Sequence, residues 1–171
     1  MDFIEIRNSL IKKMWEHLQR PVILSDQASP ETKYPYIYYN VIGPPKGPNG
    51  TGDNRIITKD NDAYTVLHDQ PTATFSFTAC SQNRNEDDKV ILGDDEAMEL
   101  SEKAIHYLEH IGYKELSLLG IVVVEISNEG QRSGLVVDEI DRRYGFDCRI
   151  RFEHTTERND GSVENINLKK E

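Results

Sequence analysis

Arg142-Arg-Tyr-Gly-Phe-Asp-Cys-Arg-Ile-Arg-Phe152 decides the fold, because two sets of side chains alternate along it. Tyr144, Phe146, Cys148, Ile150 and Phe152 share one side. Arg143, Asp147, Arg149 and Arg151, with Glu153 beyond, share the other. A period of two with one apolar and one charged face is the pattern of a strand in an antiparallel sheet covered on a single side. Thr72–Cys80 repeats it: Ala73, Phe75, Phe77 and Ala79 oppose Thr72, Thr74, Ser76 and Thr78. Pro35-Tyr-Ile-Tyr-Tyr-Asn-Val-Ile42 is aromatic and β-branched and reads as another strand, Val22-Ile-Leu24 as a short one. Gly120-Ile-Val-Val-Val-Glu-Ile126 is apolar at successive positions and reads as a central strand.

Such a sheet needs a cover, and two segments have helical periodicity. Phe3, Ile6, Leu10, Met14 and Leu18, with Ile11 beside them, recur at three- and four-residue steps. Asp2 and Glu5 form a capping-box pattern in front, and Pro21 marks the end. Ala97, Leu100, Ala104, Leu108 and Ile111, flanked by Ile105, make a second stripe. Asp94, Asp95 and Glu96 stand at its start, where the helix dipole favours carboxylates, and Gly112 is the predicted stop.

Gly43–Asn54 is dense in glycine and proline and reads as a long loop, taken with the polar residues that follow as about 43–62. Ser81–Asp88 and Ser127–Gly134 also read as loops. Asn159-Asp-Gly161 is a turn signal and Val163–Leu168 a returning strand, which predicts a C-terminal hairpin over about 142–168. The expected class is α+β: a largely antiparallel sheet, two principal helices packed on one side, and long polar loops. A single domain is expected over 1–171, long enough to bury about two-thirds of its unfolded surface.

Composition narrows the function. Asp and Glu number 30 against 20 Lys and Arg, a net charge of -10, which argues against wrapping nucleic acid as the main task. An acidic wall would repel DNA, as suits a surface past which DNA slides. Cys80 and Cys148 both lie in strand-like segments and read as small buried hydrophobes, not as a disulfide framework. MDFIEIRNSL lacks the basic start and apolar run of a signal peptide, and Leu116–Ile126 is too short to span a bilayer. A soluble protein made in a reducing cytosol is expected, with no membrane partner; the sequon Asn49-Gly-Thr51 then carries no glycan.

His106-Tyr-Leu-Glu-His110 matches H-x-x-E-H, the inverted zinc-protease pattern. Helical geometry puts both histidines nearly opposite the apolar stripe, among Glu99, Glu102 and Lys103. A catalytic zinc needs a walled cleft and groups that orient the rings, so a solvated face is the expectation. The rival is a small metal-dependent hydrolase built on His106 and His110. There is no G-x-S-x-G and no C-x-x-C, and no Lys-Ser or Lys-Thr follows the glycines of the long loop. Glu86-Asp-Asp88, Asp94-Asp-Glu96 and Asp60-Asn-Asp62 lack the ligand order of a calcium loop. Catalytic, cofactor-binding and metal-binding residues are therefore expected to be none.

The arginine face is more informative. Within an acidic chain, Arg143, Arg149 and Arg151 either pair with carboxylates on the same sheet or meet an acidic patch of a neighbouring subunit, for which residues 86–102 are the candidate. Lys46, Asn54 and Arg55 on the long loop, with the Ser127–Gly134 loop, complete the predicted contacts. Separate basic and acidic patches allow head-to-tail association, which closes into a ring when the rotation permits.

The segment Arg142–Phe152 resembles the C-terminal strand of tailed-phage neck or tail terminator proteins, also known as tail completion or head–tail joining proteins. The order of elements is similar over about residues 1 to 155: a helix, a Tyr-Pro-Tyr-Ile-Tyr-Tyr strand, a long loop, an alternating strand, a helix, Ile-Val-Val-Val-Glu-Ile, then the arginine strand. Cys148 stands where an aliphatic residue is expected. The resemblance implies a structural, non-enzymatic virion protein of the tail neck, assembled in the host bacterial cytoplasm. It implies a homo-oligomeric ring, usually a hexamer, that ends growth of the tail tube and joins it to the head connector. DNA passes through the lumen without specific binding. A connector stopper or a tail tube subunit is the rival within that class.

Overall fold

The computed structural model describes residues 2–27, 32–47, 52–60, 62–86, 89–136 and 139–162. The chain opens with α1 (Phe3–Leu18), whose Asp2 side chain accepts from the Glu5 amide while the Glu5 side chain accepts from the Asp2 amide. This capping box satisfies two amides that the first turn leaves without partners. Ile6, Leu10, Ile11 and Met14 are buried, and Gln19 ends the helix in the left-handed region. β1 (Val22–Leu24) then pairs in parallel with β2 (Tyr36–Lys46).

Next come β3 (Asp53–Lys59), β4 (Asp62–Asp69), β5 (Thr72–Ser81), β6 (Arg84–Glu86) and β7 (Lys89–Ile91). After α2 (Gly93–His106), a π-helical turn at Tyr107–Ile111 and α3 (Tyr113–Leu118), the chain runs as β8 (Ile121–Gln131), β9 (Gly134–Val136), β10 (Glu139–Phe152) and β11 (His154–Ser162). The main sheet has the order β1-β2-β5-β10-β8, with β9 paired to β10. A three-stranded sheet is ordered β11-β4-β3, and β6-β7 form a small hairpin. Apart from β1-β2 the pairings are antiparallel, and the fold is α+β.

One face of the main sheet makes the core. Phe75 and Phe77 of β5, Phe146, Cys148, Ile150 and Phe152 of β10, and Ile37 and Tyr39 of β2 pack under α1 and α2. Phe3 of α1 lies 6.1 Å from Phe75 and 5.8 Å from Phe152, ring centre to ring centre. Both principal helices thus cover the face that the sequence alternation marks as apolar.

The structure corrects several expectations. The 43–62 segment is not one loop: β2 continues through Gly43-Pro-Pro-Lys46, and β3 begins at Asp53. Proline lacks a backbone donor, but β1 accompanies β2 only as far as Tyr39, and the β2–β5 register shifts on both sides of Gly43. Pro44 and Pro45 sit where one flank is unpaired and the ladder irregular, as prolines in strands must. Residues 48–51, with the sequon, and residue 61 lie outside the described residues.

The second helix runs on through its π-helical turn to Ile111, and Gly112 caps it where the sequence predicts the stop. Its amide donates to the Tyr107 carbonyl at 2.7 Å, closing a wide turn, and α3 starts directly afterwards. The Tyr107 ring packs against Gly112 so closely that a Cβ there would stand 2.6 Å from it. The extra residue in the turn buries Tyr107 and turns Ile111 out to solvent, off the predicted stripe.

Gly120–Ile126 is not a central strand. β8 is the last strand on its side of the main sheet, with Val122 and Val124 exposed. It also absorbs most of the expected Ser127–Gly134 loop, pairing through Gln131 with Tyr144. The Ser81–Asp88 loop contains the β6 strand. The turn expected at Asn159-Asp-Gly161 is not formed there: β10 passes into β11, which pairs with β4, and the triplet forms a bulge with Gly161 at positive φ. The bulge lets an apparent turn triplet remain in a strand. The expected strand Val163–Leu168 lies outside the described residues.

Candidate assembly surfaces

The two central strands of the main sheet do not stop where the core stops. Thr72 of β5 faces Arg151 of β10, and three residues further along each chain Asp69 of β4 faces His154 of β11. The spacing is unbroken, so β4–β5 and β10–β11 form one antiparallel ribbon bridged at Pro71, whose carbonyl accepts from the Phe152 amide at 3.1 Å. Each side of the ribbon runs for about twenty residues, ~60 Å at ~3.3 Å per residue.

Its outer half, with β3 added, is an arm. Among the described arm residues Val66 is buried, whereas β3 and β11 are largely exposed and Ile56 is 77% exposed. Polar cross-strand pairs hold it. Lys59 donates to Glu157 at 2.8 Å and lies over the Tyr64 ring at 5.5 Å, and Asn159 donates to Asp62 at 3.1 Å. Thr65 donates to Asp160, which Arg158 also holds at 2.7 Å, and both bonds keep the Asp160 carboxyl below the usual carboxylate range.

The face of the main sheet away from the helices carries a polar network. Arg132, beyond the end of β8, folds back across β10 and donates to Ser76 at 2.7 Å, Thr78 at 3.3 Å and Asp147 at 3.0 Å. Gly145 permits this, since a Cβ there would meet the Arg132 side chain at 2.8 Å and the Phe77 carbonyl at 2.6 Å. Burial pushes the Asp147 carboxyl up, but hydrogen bonds from Asn128, Ser76 and Arg132 outweigh it, and the group sits below its ordinary value. Further along, Asp141 accepts from Tyr34 at 2.5 Å and from Arg143 at 2.9 Å. Arg84 donates to Glu96 at 2.6 Å, tying the β6–β7 hairpin to the start of α2. That bond above all holds the Glu96 carboxyl down, with Ser81 adding a second donor against the cost of burial. Burial pushes both thiols, Cys80 and Cys148, up to about 12, which removes them as nucleophiles.

The predicted contact residues divide into three groups. Lys46 ends β2, exposed, and Asn54 and Arg55 stand exposed on the arm, with Arg55 held by Asp53 at 2.8 Å. Arg149 and Arg151 are exposed on the outer sheet face. Arg149 pairs with Glu125 of β8 at 2.9 Å, while Arg151 makes no ion pair among the described residues. Arg143 is mostly covered, bound to Asp141 and lying 5.9 Å over the Tyr38 ring. The structure therefore brings Arg149 and Arg151 together and leaves the arm residues apart from them.

Arg132 escaped the sequence reading because it was assigned to a loop. The signal for it was Gly145, a glycine inside an otherwise bulky strand, which marks the close approach of another group. His106 and His110 are exposed on the helix surface, and among the described residues no group of three or more His, Cys, Asp or Glu could hold a metal ion. No helix of the described residues is long and apolar enough to cross a membrane.

A search of curated proteins returns no match for this chain. A family model does match, described as phage neck terminator protein, over residues 8–170. That span takes in most of α1, the whole ribbon with its arm, and the arginine strand, so the chain belongs to the phage neck terminator family of structural virion proteins.

Proposed function

We propose that the chain, acting as one domain, forms a closed ring at the neck end of a phage tail tube, where it ends tube growth and joins the tail to the head connector. The arm carries this reading. It is a sheet that extends from the core on a shared ribbon yet buries almost nothing of its own. Two- and three-stranded sheets without a hydrophobic face gain little stability, so their use is to reach a partner. Lys46, Asn54 and Arg55 lie on or beside the arm and would meet tube or connector; Arg149 and Arg151 present positive charge on the outer sheet face to the acidic surface of another subunit. A net charge of -10 suits a lumen through which DNA passes without being held. Assembly takes place in the host cytoplasm, where the two buried cysteines stay reduced.

Electron microscopy of the purified protein, alone and with polymerising tail tubes, tests the reading. Closed rings, and tubes capped at one end with growth arrested, are expected. Long tubes of the protein itself would identify a tube subunit, and rings that bind connector but leave tube growth unchanged would identify a stopper. The exposed pair His106 and His110 gives the hydrolase reading no support; unchanged behaviour with a chelator is the expected control.

A further inference from the structure

We infer that the arm is a lever hinged on the core at Gln70–Pro71 and Glu153, swinging as one body in the free subunit and set in direction by what it meets. The motion follows from the geometry of the ribbon and does not depend on the ring.

The hinge lies where the neighbouring strands give out. On one flank β2 accompanies β5 as far as the Lys46–Thr72 pair, and β3 joins β4 only from the Asp53–His68 pair onwards. On the other flank β8 ends against Phe152 at Ile121, and β11 is an edge strand of the arm sheet. Between the Thr72–Arg151 and Asp69–His154 pairs the ribbon therefore has two paired strands only. Two-stranded ribbons twist more than strands inside a wider sheet, and alone they are marginally stable.

Backbone bonding is thinnest at the same point. Proline has no amide hydrogen, so Pro71 and Phe152 share one backbone bond, from the Phe152 amide to the Pro71 carbonyl at 3.1 Å, where a pair of this kind exchanges two. The Gln70 amide has no strand beside it and donates to the Asp69 side chain at 2.7 Å. The Glu153 amide donates to the Gly120 carbonyl at 3.2 Å and so ties its strand to the core as far as that residue. Burial changes there on both strands: Pro71 and Phe152 are buried, Gln70 and Glu153 exposed. Gln70 and Glu153 also line both clefts that flank the junction, about 420 Å³ towards the arm and about 100 Å³ towards the core, which leaves room to bend.

Both sides of the hinge are stiffer. The β3–β4 register is regular from Asp53–His68 to Lys59–Asp62, and Lys59 reaches across β4 to Glu157, so the arm moves as a unit. On the core side Ala73, Phe75, Ile150 and Phe152 are buried. Hinges in proteins are such short stretches at the ends of packed elements.

Double electron–electron resonance tests this, with spin labels on Ile56→Cys of the arm and Lys103→Cys of α2. Labels on Lys12→Cys and Lys103→Cys give a pair confined to the core; all three positions are exposed. Cys80 and Cys148 are buried and stay unlabelled, and excess unlabelled chain ensures that each pair is read within one subunit. The arm–core distances should spread roughly twice as widely as those of the core pair, while the β4 amides stay protected from hydrogen exchange. Equal widths would overturn the hinge. So would freely exchanging β4 amides, because the spread would then report a melted arm. Pro71→Ala, which restores the missing donor, should narrow the arm–core spread and leave the core pair unchanged; an unaltered spread would overturn the placement at Pro71. None of these outcomes decides whether subunits close into a ring.

Discussion

One ribbon serves two purposes along its length. From Ser81 and Arg142 to Thr72 and Arg151 it lies under two helices and buries Phe75, Phe77, Phe146 and Ile150. From Asp69 and His154 to Tyr64 and Asn159 it keeps the same register yet stands in solvent, held by Lys59–Glu157 and the bonds to Asp160. Backbone pairing is the same in both halves, so it is not what makes one half a core and the other an arm. The side chains decide. Apolar burial contributes ~25 cal/mol per Å² and, Val66 apart, is concentrated in the inner half, whereas exposed ion pairs contribute ~0–1 kcal/mol each. The fold is anchored at one end of the ribbon, and the other end is free to meet a partner.

The sharpest way to break this contrast is one truncation in each half. Phe77 is fully buried, 5.4 Å from Phe146 and 5.9 Å from Phe75 between ring centres. Phe77→Ala should cost about 3–5 kcal/mol, read as a lowered urea midpoint. Ile56→Ala on the arm should change stability by less than about 0.5 kcal/mol. Similar losses at the two positions would mean that the arm packs on something in solution.

The second test concerns what crosses the inner half. Gly145→Val would drive a side chain into the space that the Arg132 guanidinium occupies, at a cost of about 1–3 kcal/mol. Part of that is the loss of the Arg132 bonds to Ser76, Thr78 and Asp147. In a double-mutant cycle with Arg132→Ala, the two losses should add to less than their sum. Full additivity would show that Gly145 is kept for its backbone alone.

The same contrast explains what could be read from the sequence. Thr72–Cys80 and Tyr144–Phe152 were legible because one of their faces is buried, and burial writes a period of two. β3 and β11 bury neither face, so Asp53–Lys59 and His154–Ser162 carry no such period and read as loop and turn. Asn159-Asp-Gly161 looked like a hairpin because its turn chemistry also suits a bulge. Gly120–Ile126 looked central because apolar content signals burial without saying whether a strand neighbour or another molecule supplies it. At the candidate surfaces, charge alternation located Arg149 and Arg151 correctly on one face, but pairing with Glu125 depends on which strand lies alongside, and sequence does not give that. Arg132 needed the register between β8 and β10.

A third test uses pH. The Glu96 and Asp147 carboxyls lie below their ordinary values in the folded protein. Depressed carboxyls contribute stability that is fully present above their unfolded values and is lost as pH falls through the folded ones. Stability should therefore hold between pH 6 and 8 and fall once pH drops below the ordinary carboxylate range. Glu96→Gln should cost about 1 kcal/mol at pH 7 and flatten the acid limb. Asp160 on the exposed arm is lowered as well, so its ion-pair share should be screened by high salt more than that of Glu96.

The smallest effect on folding should accompany the largest effect on assembly. Arg151 is exposed at the junction of the two halves, with no ion partner among the described residues, so Arg151→Glu should leave the melting temperature within a degree or two. Arg149 is held by Glu125, and Arg149→Glu would place two carboxylates side by side across β8 and β10, costing up to about 1 kcal/mol. If this face meets an acidic surface of a neighbour, the double variant should lose oligomers in light scattering while its monomer remains folded. Retained assembly would confine the arginines to the sheet and leave the arm, with Lys46, Asn54 and Arg55, as the charged contact. The two halves would then differ in purpose as fully as they differ in burial: one builds the subunit, the other joins it to what lies above or below.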